Sequence, residues 1–289
     1  MEQAKYHDLK MGERGAIISI FAYILLSVLK IFIGNMANSE ALKADGFNNA
    51  TDIIASIAVL IGLRLSQKPP DEDHPYGHWK AETVASLVAS FIMIAVGIQV
   101  LYGAISSVFS VKQESPNLIS AWTGMFSSVV MYMVYRYNRN LGKKINSQAV
   151  MAAAKDNLSD AWVSIGAVIG IIGSQFNLPW LDPVTAVIVG LLICKTGWDI
   201  FRKASHDLTD GYDEEQLGIY RKSILKIQGV KGIKDIRARK YGSNSVVDVV
   251  IIVNSKLFIG AAHDISERVE EVLMEEHDVF EVHVHVEPN

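Results

Sequence analysis

Asp156 and Asp160 stand four residues apart in AVMAAAKDNLSDAWVSIGAVIG, a stretch dominated by small and apolar residues. On a helix that spacing puts both carboxylates on one face, a turn apart. A second stretch, EALKADGFNNATDIIASIAVL, carries Asp52 with Asn48 on the same face and Asp45 one turn nearer the helix start. A charged residue near a bilayer centre costs roughly 2.5–3.5 kcal/mol on insertion scales, so acids in such runs need a reason. Asn48, Asp52, Asp156 and Asp160 on two facing helices form a ready cage for a cation. Three carboxylates left together would repel one another, so metal or protons must compensate them. Asp45 reads either as a vestibule residue or as a charge at the helix N-terminus. Asn49 competes with Asn48 for the ligand place, and helical spacing to Asp52 favours Asn48. The alternative is structural: the acids pair with Lys30, Lys195 or backbone groups and only hold helices together.

The donor types restrict the ion. Asp and Asn offer hard oxygens, with neither imidazole nor thiolate, whereas zinc and copper sites usually recruit nitrogen or sulfur. Mg²⁺ sheds water reluctantly and Ca²⁺ asks for more oxygens than four side chains easily give. Manganese(II) is the best compromise, with iron(II) close behind. Cys194 is the only cysteine, so intrachain disulfides and cysteine-based zinc sites are excluded.

The elements that must hold these residues follow from hydropathy. Of 289 residues, 50% are apolar while 20% are charged, and the mean hydropathy is +0.22. Membrane helices joined to a charged soluble piece account for both. Six stretches are apolar over the roughly 20 residues a span needs, about 15–34, 41–63, 83–109, 117–136, 149–174 and 183–201. One side of the spans holds Lys5, Lys10, Arg14, Arg64, Lys68, Lys80, Arg136, Arg139, Lys143, Lys144, Arg202 and Lys203, whereas the opposite connectors hold essentially Lys112. That asymmetry places both termini in the cytoplasm of a multi-pass cell-membrane protein. The leader MEQAKYHDLKMGERG lacks a small-residue cleavage site and is expected to be retained. Beyond Lys203 the pattern changes. Helical periodicity over 213–227 and 260–276 alternates with strand-like IKDIRARKYG, SVVDVVIIV and FEVHVHVEP, the first two joined by a Gly-Ser-Asn turn. The expected architecture is therefore a six-helix α-helical membrane domain over 1–208 and a small α+β domain, αββαβ, over 209–289. A net charge of −4 argues against a nucleic-acid partner.

ADGFNNATD, DNLSD and the connector DEDHPYGHWKAE together resemble the cation diffusion facilitator family over nearly the whole chain. The resemblance implies a homodimer in the lipid bilayer that exchanges cytoplasmic divalent metal for protons by alternating access. It implies a ferredoxin-like cytoplasmic domain, no prosthetic group, and Mn(II), Fe(II), Zn(II), Co(II) or Cd(II) as cargo. It makes Asn48, Asp52, Asp156 and Asp160 the transport site. Zinc-carrying relatives place a histidine on one or both helices where this chain has Asn48 and Asp156, which looks like the manganese-efflux branch. Asp71, His74 and His78 fall where some relatives hold a peripheral metal; otherwise they form a solvated loop. Lys80 and Asp210 match a salt bridge at the relatives' dimer interface. His263, His285 and Glu287 match metal-binding positions of the cytoplasmic domain, but two further histidine positions are here Lys234 and Val250. His283, His285 and Glu287 alternate along the last strand and share a face, fit either for a weaker metal site or for a polar dimer contact. An intramembrane metalloenzyme would add a constellation such as H-E-x-x-H, which the sequence lacks, so no enzyme is expected. A non-transporting metal sensor would need an output domain larger than this tail.

Overall fold

The structure is a computed structural model that describes residues 2–66, 68–108, 115–144, 148–176, 178–242 and 244–289. Lys112 and the hairpin residue Ser243 lie outside the described residues, as do the side chains of Lys5, Lys10, Arg14 and Arg64. The order is α1 (Glu2–Met36), α2 (Glu40–Ser66), α3 (Ala81–Val108), α4 (Ile119–Lys144), α5 (Gln148–Ser174), α6 (Leu181–Leu208), α7 (Glu214–Ile224), β1 (Gly232–Tyr241), β2 (Asn244–Val253), α8 (Ile259–His277) and β3 (Glu281–Pro288).

Six long helices stand where six spans were expected, but among the described residues four are apolar and long enough to cross a membrane: Ile17–Met36, Ala81–Ser107, Ala153–Ser174 and Leu181–Leu208. α2 carries Asp45, Asn48, Asn49 and Asp52 in its first half, and α4 ends in YRYNRNLGKK. Several helices outrun their apolar cores. α1 begins at Glu2 and α6 runs to Leu208, because polar residues with adequate helix propensity simply continue the hydrogen-bond ladder.

Burial in these helices is the reverse of a soluble protein's. Phe21, Val28 and Phe32 of α1 point outward and Trp122 is 75% exposed, while Lys30 and Asp45 are 0% exposed and Ser90, Asn138 and Asp182 are buried. Apolar groups face outward and polar groups face one another, as a hydrocarbon surround dictates.

The chain divides into two compact units, Met1–Ile57 with Ala89–Asp199, and Ala58–Val88 with Ile200–Asn289. In the first, α4 packs along α5, and α1 packs against both. Ala22, Tyr23, Leu26, Met131, Val134 and Ala161 form one of its cores. Gly46 of α2 meets α1 so closely that a Cβ there would lie 3.0 Å from the Ile31 backbone nitrogen, and its carbonyl accepts from Ser27 Oγ at 2.9 Å. The absent side chain lets the two backbones touch.

In the second unit, Asp213 caps α7 by accepting from the Glu215 amide. β1 and β2 pair antiparallel through a turn at Gly242 (φ 60°), and β3 returns through α8 to pair parallel with β2. Val247, Val249 and Ile251 of β2 pack on Tyr220 and Ile224 of α7 and on Ile265, Val269 and Leu273 of α8. The expected αββαβ order is therefore present.

Candidate metal transport site

α2 and α5 carry the intramembrane acids because nothing in either sequence breaks the helix across them. Asn48 Nδ2 donates to Asp160 Oδ1 at 3.0 Å, joining the two helices. Asp160 is 6% exposed, and its Oδ2 accepts from the Tyr23 hydroxyl of α1 at 2.7 Å. Asp52 is half-buried, its Oδ2 has no hydrogen-bond partner among the described residues, and it lies within electrostatic reach of Asp156 and Asp160. Asp156 is exposed. Ligand atoms around a small divalent ion lie roughly 3 Å apart. Asp52, Asp156 and Asp160 do not offer atoms that all lie within 4.8 Å of one another. Asn48 and Asp160 are thus brought together, while the three carboxylates do not close into one metal-sized group.

Asp45 and Asn49 face a different partner. Lys30 Nζ sits 2.9 Å from Asp45 Oδ1, donates to Asn49 Oδ1 at 2.6 Å and to Ser164 Oγ at 2.9 Å. The pairing considered for the whole acid set therefore occurs at Asp45 and ties α1, α2 and α5. Sequence reasoning missed Tyr23, Asn157, Asn138 and Ser19, which form a buried hydrogen-bonded cluster beside Asp160. A signal existed: Ser19, Tyr23, Ser27 and Lys30 recur at helical spacing down one face of an otherwise apolar α1.

In the second unit, Asp71, His74 and His78 are the group among the described residues whose ligand atoms all fall within 4.8 Å of one another. His74 Nδ1 is 3.0 Å from Asp71 Oδ1 and His78 Nε2 is 3.3 Å from Asp71 Oδ2. Slight burial acts upward on the Asp71 carboxyl, but hydrogen bonds from the His74 ring and amide, with the charge of both imidazoles, hold it below the usual carboxylate range. A carboxylate between two imidazoles fits a borderline divalent metal such as zinc. Lys80 Nζ binds Asp210 Oδ1 at 3.1 Å within the same chain, and Asp210 closes α6 with a left-handed φ of 58°.

His283 and His285 are exposed on β3 with Glu287 following at the same spacing. His283 Nδ1 bonds Asp248 Oδ1 at 2.9 Å, and this contact, with the Glu281 charge, raises the imidazole above the usual histidine range. Glu287 accepts from Lys234 Nζ at 2.8 and 2.7 Å, so a lysine already neutralises that carboxylate. His263 of α8 pairs with Glu267 at 3.4 Å and forms no such metal-sized group with the β3 residues.

Acids held among outwardly apolar helices, followed by a small αββαβ domain, define a multi-pass membrane protein that handles a cation. The chain belongs to the cation efflux family: the family's transmembrane domain matches residues 16–209, and its cytoplasmic domain matches residues 212–289. Among its relatives are three proteins of Bacillus subtilis (strain 168). Manganese efflux system protein MneS is 58% identical over 284 residues, 98% of each chain. Uncharacterized transporter YdbO is 55% identical, covering 98% of this chain and 97% of its own. Manganese efflux system protein MneP is 35% identical, covering 96% and 97%.

Proposed function

We propose that this chain exports manganese(II) from the cytoplasm in exchange for protons, by alternating access, as a homodimer in the cell membrane with both termini cytoplasmic. The observation that carries the reading is an oxygen-only donor set, Asn48, Asp52, Asp156 and Asp160, on two long helices already joined through the Asn48–Asp160 contact. The relatives MneS and MneP, both manganese efflux system proteins, support manganese as the cargo. Residues 1–208 form the transport domain and 209–289 the cytoplasmic domain in this reading, and Lys80 and Asp210 serve the dimer interface.

Each ligand must be deprotonated to bind, so ion entry and proton release are linked. Manganese drawn in from the cytoplasm gathers Asp52 and Asp156 toward the Asn48–Asp160 pair. A shift of α2 and α5 then turns the site outward, where protons compete for the three carboxylates and displace the ion. No prosthetic group takes part. The deciding experiment loads proteoliposomes with a pH dye and follows Mn²⁺, Fe²⁺, Co²⁺, Zn²⁺ and Cd²⁺ in turn. Manganese is expected to move fastest, with opposite proton flow. Zinc outpacing manganese would overturn the cargo, metal flux without proton flow the exchange, and binding without any flux the transporter itself.

The Asp71, His74 and His78 cluster is proposed as a second, peripheral site. Replacing His74 and His78 together by alanine is expected to remove one ion per chain from protein saturated with zinc, measured by elemental analysis after gel filtration. Unchanged metal content would show the cluster to be a solvated loop.

A further inference from the structure

Both oxygens of Asp160 are engaged, one by Asn48 Nδ2 and the other by the Tyr23 hydroxyl. The Tyr23 hydroxyl in turn accepts from Asn157 Nδ2 at 2.9 Å. Asn157 Oδ1 accepts from Asn138 Nδ2 at 2.9 Å and from Ser19 Oγ at 3.2 Å, and Asn138 Nδ2 also reaches Ser19 Oγ at 2.8 Å. Ser19, Tyr23, Asn138 and Asn157 are all buried. Helices α1, α4, α5 and α2 therefore converge on one carboxylate through side chains that apolar residues could replace at lower desolvation cost. The donors are all directed toward Asp160, an arrangement that suits an anionic acceptor at the end of the network and strengthens its last bond.

We infer that Tyr23, oriented by Asn157, is a positioning residue of the transport site. Its hydroxyl occupies Asp160 Oδ2 and fixes the carboxylate's rotation, so that Asp160 meets the ion through Oδ1 alone. A single-oxygen ligand of fixed direction leaves room for the ion's remaining waters and for Asn48 beside it. Tyrosine does this without carrying charge into the helix bundle. The inference rests on the reading of Asp160 as a transport ligand.

Tyr23→Phe removes one oxygen and keeps the ring that packs against Leu26, Met131 and Val134. Outer partners of a metal ligand typically contribute 10–100-fold to affinity. The KM for manganese in proteoliposomes is therefore expected to rise about tenfold while kcat stays within about twofold. Asn157→Ala is expected to act in the same direction, and the double variant to be no worse than the stronger single one, because both act on the same bond. A purely structural Tyr23 would lower kcat and thermal stability and leave KM at the parent value; that result overturns the inference. If Tyr23→Phe yields too little flux to resolve KM, the six-line electron paramagnetic resonance signal of free Mn²⁺, titrated with detergent-solubilised protein, decides. Weakened binding supports positioning and parent affinity overturns it. Asp160→Asn run alongside separates the two levels. Parent KM in Asp160→Asn sinks the site itself, whereas loss there with an unchanged Tyr23→Phe sinks only the role given to Tyr23.

Discussion

Asp160→Asn is expected to lower manganese transport at least about 100-fold, since even the outer hydrogen-bond partners of a metal ligand contribute 10–100-fold. The substitution keeps the shape of the side chain and an oxygen for the Tyr23 hydroxyl to bind. What it removes is one negative charge, in a place 6% exposed to solvent, where water cannot make good the loss. Asp160 is also the acid that α1 and α2 both reach, through Tyr23 and Asn48. Initial rates of manganese flux in proteoliposomes, normalised to reconstituted protein, provide the measurement. A variant that transports within threefold of the parent would mean that the ion travels by another path.

The second large effect concerns Lys30. Its ammonium is 0% exposed and lies 2.9 Å from Asp45 Oδ1, itself on a fully buried carboxylate. Neither Asp45 oxygen has any other hydrogen-bond partner among the described residues, so the ion pair is what compensates that charge. Lys30→Met keeps much of the volume and strands the carboxylate. Breaking a buried pair from one side costs roughly 3–5 kcal/mol, a large part of the stability of an ordinary domain. Lys30→Met is thus expected to lose most folded protein, read as the monodisperse fraction after detergent extraction. Lys30→Met combined with Asp45→Asn removes both charges together and is expected to recover most of that fraction. Equal losses in the single and double variants would show that the ammonium acts on Asn49 and Ser164 and not on Asp45.

The acids of α2 and α5 were legible because a carboxylate in an apolar run is costly and helical spacing tells which ones share a face. The αββαβ order was legible too, since SVVDVVIIV and FEVHVHVEP have strand periodicity and GAAHDISERVEEVLMEE does not. Two things were harder to read. Ser19, Tyr23 and Ser27 are tolerated in any helix, so their alignment with Lys30 acquires meaning only once α1 is seen against α4 and α5. The partition of oxygen ligands was hidden for a similar reason. Asn48 and Asn49 are neighbours on α2, yet one joins Asp160 and the other Lys30, a choice made by the rotation of α2 and invisible to spacing along a single helix. Apolar content alone also understated α4, because its last turns are cationic and polar.

The bare backbone at Gly46 has a mechanical consequence. With α1 and α2 in contact there, and Ser27 and Lys30 stitched across the seam, no lubricating layer of side chains separates the two rods. Moving one helix away from the other would break both contacts at once and leave the Asp45 carboxylate without its cation.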